Sequence, residues 1–113
     1  EKYFERVIHH ELFHIINDSF KDFFNEDEWK KFNDKDFQYA GCSTCTKKLS
    51  LNTYQNTQGF FTEYSKTIPS EDMAEVFSHL IKNKYQDTND NILNKKVKFI
   101  RDRLNKIDNT FKF

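Results

Sequence analysis

Three of the four histidines fall within ten residues, "VIHHELFHII" (7–16), with a glutamate among them. Inside that stretch His10-Glu11-Leu12-Phe13-His14 spells H-E-x-x-H. On a helix, residues four apart lie one above the other on the same face, about 6 Å of axial rise apart. Two imidazoles so placed can converge on one zinc ion, which takes nitrogen at ~2.0–2.1 Å. Glu11 sits one step round from His10, where its carboxylate can reach a water on that metal. Zinc lowers the pKa of such a water towards about 7, and the glutamate can then take its proton. That is hydrolytic chemistry. The plainer alternative is a metal-free helix whose histidines sit in an apolar core. His9 lies about 100° round the helix from His10 and suits a core or supporting role better than the ion.

A catalytic zinc needs a third protein ligand and an open position. The downstream candidates are Glu63, Glu71, Asp72, Glu75 and His79. Glu71, Glu75 and His79 are spaced by four and share one helix face, from which Asp72 is turned away. No third histidine follows at the metzincin spacing. A glutamate is therefore the expected ligand, which puts the motif in the glutamate-zincin group. Cys42-Ser43-Thr44-Cys45 offers two thiols, too few for a four-ligand zinc site. A redox role would want a βαβ context, and none is visible. A local disulfide and two free thiols both stay open, because the redox compartment decides between them.

The elements that must position these residues read mostly as helices. Phe4, Val7, Ile8, Glu11, His14 and Ile15 step by three and four, predicting a helix over 2–17. A short helix carrying Phe20, Phe23 and Phe24 follows, then another over 25–32, acidic in its first turn as the helix dipole favours. Residues 34–62 lack sustained periodicity and hold Gly41, the cysteine pair and "NTYQNTQG". They read as a long irregular loop, of a length that is more often functional than idle. "PSEDMAEVFSHLIKN" then starts a helix, with Pro69 before Ser70 as the expected N-cap and two acids behind it. Leu93, Val97, Ile100, Leu104, Ile107 and Phe111 mark the last helix, over about 90–110.

"HHELFH" followed by "YSKTIPSEDMAEVF" resembles the catalytic domain of anthrax lethal factor and its relatives, including clostridial proline-directed endopeptidases. In that pattern a tyrosine precedes the ligand glutamate by seven residues, and a second acid follows it by four within E-x-x-A-E. Tyr64, Glu71 and Glu75 occupy those places, with Ala74 before the last. "KVKFIRDRLNKI" is similar in character to the family's closing helix. The likeness covers residues 3–16 and 60–108. It implies that His10, His14 and Glu71 bind zinc and that Glu75 accepts the outer N–H of a ligating histidine. It further implies that Tyr64 hydrogen-bonds the developing oxyanion. Family members are often exported, which implies export here and tilts the cysteines towards a bridge. One departure stands out: the family's substrate-holding edge strand normally precedes the active-site helix, which here begins at residue 2 or 3. Either that wall lies outside this stretch or residues 34–62 supply it.

Length and composition bound the rest. At 113 residues the chain suits one zincin-like catalytic domain over 1–113, mainly α. Its beginning at Glu1 is expected to make it part of a longer chain. Only 36% of residues are apolar, but 13 Phe and 5 Tyr concentrate burial in large side chains. Charge balances at 18 against 18 without a basic run, which argues against nucleic acid as a partner. No apolar stretch approaches the ~20 residues of a membrane span. The expectation is a zinc metallopeptidase acting on a peptide or protein substrate, as an endopeptidase rather than an exopeptidase. The alternative is a zinc-bearing but non-catalytic helical interaction module, which would not require Glu11 with Tyr64.

Overall fold

The computed structural model describes residues 2–41, 58–83 and 89–108. Four α-helices run in the order α1 (Lys2–Ser19), α2 (Glu26–Lys30), α3 (Pro69–Asn83) and α4 (Asn91–Ile107). Two 3-10 turns, Lys21–Phe23 and Glu63–Lys66, precede α2 and α3. Among the described residues there is no β-strand, and none of these helices is long and apolar enough to cross a membrane. The mainly α expectation holds. The described ends of the 34–62 stretch are irregular as expected, and Cys42 and Cys45 lie outside the described residues.

Local chemistry sets the helix ends. Asn25 caps α2 by accepting the Glu28 N–H, and Asp90 caps α4 by accepting that of Leu93. Ser70 is not the cap of α3. The helix opens on Pro69, whose missing N–H costs nothing in a first turn, and Ile68 supplies the first accepting carbonyl, to Asp72. The helix expected around Phe20–Phe24 is one 3-10 turn, and α4 stops at Ile107.

α3 is the central element: every residue from Glu71 to Leu80 is buried. α1 packs along one flank, while α2 and α4 close others. Phe13 joins α1 to this core, edge-on to Phe24 at 5.0 Å and tilted against Phe77 at 5.5 Å. Large apolar residues of α1 lie on its solvent side. Phe4 (62% exposed), Ile8 (50%), Leu12 (42%) and Ile15 (65%) lie outward, while His10 and Phe13 face inward. The reason is polar: α3 buries three carboxylates, and a buried charge is tolerated only with partners. His10 is one of those partners.

Asp72 shows the same rule on the other flank. Its Oδ2 accepts from Trp29 Nε1 (3.0 Å), the Tyr39 hydroxyl (2.7 Å) and Lys96 Nζ (2.8 Å), with both charged side chains fully buried. Lys96 also donates to the Gly59 carbonyl at 2.6 Å and lies 3.9 Å from the centre of the Phe60 ring. Burial pushes the Asp72 carboxyl up and the Lys96 ammonium down, with each other's charge opposing both shifts. Gly59 has φ +93°, and a Cβ there would fall 2.5 Å from Ile92 Cγ2, so only glycine fits this approach. Lys96→Met should cost ~3–5 kcal/mol in urea unfolding, because it strands a buried carboxylate. A cost below about 1 kcal/mol, the level of a surface pair, would mean that the pair does not clamp α3 to α4.

Candidate metal centre

His10 and His14 reach from α1 towards the first turn of α3, where Glu71 meets both. Glu71 Oε1 lies 2.7 Å from His14 Nε2, Glu71 Oε2 lies 3.0 Å from His10 Nε2, and the two Nε2 atoms are 3.2 Å apart. Two ligands held at ~2.0–2.1 Å from a tetrahedral ion are about 3.3 Å apart. The two Nε2 atoms and the two Glu71 oxygens, one oxygen against each histidine, are thus spaced as neighbouring ligands around one ion are. Two imidazole nitrogens and a carboxylate oxygen are also donors zinc accepts. Glu11 extends the group, with a carboxylate oxygen within 4.8 Å of a ring nitrogen of each histidine. It is solvent-exposed, whereas Glu71 is buried.

Behind His10 stands Glu75, one turn along α3. Its Oε2 lies 2.8 Å from His10 Nδ1 and its Oε1 accepts the Thr62 hydroxyl at 2.6 Å. With Nδ1–H donating to Glu75, Nε2 is left to face Glu71 and His14. Burial works against charge on His10, but its bonds to Glu71 and Glu75 outweigh that and push its pKa up to about 9. Burial likewise opposes the Glu71 charge, yet hydrogen bonds from His10, His14 and Tyr64 hold its carboxyl well below the usual range. Glu75 is lowered in the same way, against burial, chiefly by His10 and Thr62. This is a site built to keep two carboxylates ionised around one imidazole.

Tyr64 belongs to the same group. Its hydroxyl is a hydrogen-bond partner of Glu71, and its ring centre is 5.8 Å from that of His10. The other candidates fall away. Glu63 pairs with Lys66 at 3.4 Å. Asp72 serves the opposite flank, as its turn on the helix implied. His79 donates Nδ1–H to the Glu75 carbonyl at 2.9 Å and stacks on Phe61 at 4.2 Å, away from Glu71. His9 is half-buried, and its Nδ1 has no hydrogen-bond partner among the described residues. Sequence reasoning missed Thr62, although a threonine three residues before Ser65 is a readable cap signal.

A cavity of about 480 Å³ opens beside His14, lined also by Asn17, Asp18, Lys21, Glu26 and Ser70. A second, of about 540 Å³, shares Glu26 and Ser70 with it and continues to Tyr39 and Gly41. Among the described residues no substrate-holding edge strand is formed, and Ala40 and Gly41 donate their N–H groups to the Lys66 and Thr67 carbonyls.

Residues 1–112 match the model of a protein family described as "Putative zinc-binding metallo-peptidase". No curated protein and no solved structure matches the chain.

Proposed function

The chain belongs to that family of zinc-binding metallo-peptidases, and from this premise we propose a glutamate-zincin centre in which His10, His14 and Glu71 hold one zinc ion. The observation that carries it is the convergence of the two Nε2 atoms, 3.2 Å apart, on the Glu71 carboxylate, whose oxygens lie 2.7 Å from His14 and 3.0 Å from His10. Bound there, zinc would polarise a peptide carbonyl and acidify the attacking water. Glu11 takes the proton from that water and passes it to the leaving nitrogen. Tyr64, whose single hydroxyl proton faces Glu71 here, would turn it to the carbonyl oxygen as negative charge builds on it. Glu75 fixes the His10 tautomer so that Nε2 stays a lone-pair donor. The cavity beside His14 gives room for side chains flanking the bond that is cut. The resemblance to the lethal-factor catalytic domain points to endopeptidase cleavage.

Zinc stoichiometry and cleavage of a peptide library by the purified chain test this together. Wild type should hold one zinc and cut, whereas a non-catalytic zinc module would hold zinc and cut nothing. Alanine at His10, His14 or Glu71 should sharply lower zinc occupancy, and Glu63→Ala should leave it unchanged. If Glu71→Ala kept full zinc while Glu75→Ala lost it, the ligand assignment would be one helical turn wrong.

A further inference from the structure

We propose that Thr62 is a positioning residue that sets His10 for the metal and Tyr64 for the substrate through a single hydroxyl. The inference rests on the zinc-peptidase reading and adds to it a residue that touches neither metal nor substrate. Thr62 is fully buried. Its hydroxyl has one proton to give and two lone pairs to fill, and the fold uses all three. The proton goes to Glu75 Oε1, 2.6 Å away. One lone pair accepts the Ser65 backbone N–H at 3.3 Å, which makes Thr62 the N-cap of the 3-10 turn Glu63–Lys66. The other faces Ser65 Oγ at 3.2 Å. Because the threonine proton is committed to Glu75, Ser65 must be the donor in that contact.

Two lines of control meet at this atom. Through Glu75 the hydroxyl orients the carboxylate that holds His10 Nδ1 at 2.8 Å. Through the cap it fixes the turn on which Tyr64 is the second residue. Thr62 thus ties the loop carrying the proposed oxyanion donor to the helix carrying the proposed ligand. A valine in its place has nearly the same shape but leaves Glu75 Oε1 and the Ser65 N–H without this partner.

The test compares wild type, Thr62→Val and Thr62→Ser for zinc affinity, by chelator competition with zinc alone, and for kcat and KM on a cleaved peptide. Loss of the group that directly orients a metal ligand typically costs ~10–100-fold in affinity. Thr62 acts one hydrogen bond further out, through Glu75, so a loss of roughly 10-fold, the low end of that range, is expected for valine. Turnover of zinc-saturated Thr62→Val should fall through kcat with KM little changed. Serine keeps the hydroxyl and should restore both quantities. A packing role predicts the reverse order, since serine loses the buried methyl and valine keeps it. Should valine fail to fold, Thr62→Ala against Thr62→Ser makes the same comparison. Wild-type affinity and kcat in the hydroxyl-free variant, or serine failing as valine does, would overturn the proposal alone. A wild type that bound no zinc or cut no peptide would instead overturn the functional reading on which it stands.

Discussion

Glu11→Gln is expected to keep the zinc and the fold while peptide hydrolysis falls by ~10²–10⁴, the usual worth of a general base. Glutamine has the shape of glutamate, but its amide cannot take a proton at neutral pH. Glu11 is exposed on α1, so the exchange disturbs no core, and substitutions at such places change stability by only about 0.5 kcal/mol or less. His10, His14 and Glu71 keep their mutual contacts without it. Metal content, thermal unfolding and turnover measured on one preparation separate the terms. Near-normal turnover in the glutamine variant would remove Glu11 as the base, and lost zinc would make it a ligand.

Tyr64→Phe should cost ~10²–10³ in kcat, the effect of deleting one oxyanion donor. The ring stays and only the hydroxyl goes. Because that hydroxyl also bonds Glu71, the measurement must be made at saturating zinc. A tyrosine that only supported its ligand would lower zinc affinity and leave kcat of the loaded protein unchanged. Matched kcat values would therefore take Tyr64 off the catalytic list while leaving it a place beside Glu71.

The parts of this arrangement legible in the chain were those governed by short-range spacing. The His10–His14 pair, the proline-and-acid start of α3 and the apolar steps of α4 depend on neighbours within about four residues. What depends on how helices approach one another was not legible. Spacing alone leaves Glu71 and Glu75 level on one face and only the resemblance divides their roles; the seating of α1 on α3 sets the first against both Nε2 atoms and the second against Nδ1 of His10. Lys96 reads as one polar residue among the lysines of α4, yet it is buried because Asp72 waits across the interface. Phe4, Ile8 and Ile15 have the period of a core face but lie outward, since two buried acids recruit His10 and His14 instead. Thr62 went unnoticed because its partner Glu75 is thirteen residues away in sequence.

Trp29 gives the molecule a built-in optical reporter. It is the only tryptophan in the chain, fully buried, with its indole N–H on Asp72 and the Lys96 ammonium 5.4 Å from its ring. Its emission therefore senses the junction of α2, α3 and α4, on the flank of α3 away from the histidines. Fluorescence followed during chelation and then during denaturation reads two events separately. Removing metal with the core intact leaves the indole in its dry, hydrogen-bonded seat, and the spectrum moves to the red only when that junction opens to water.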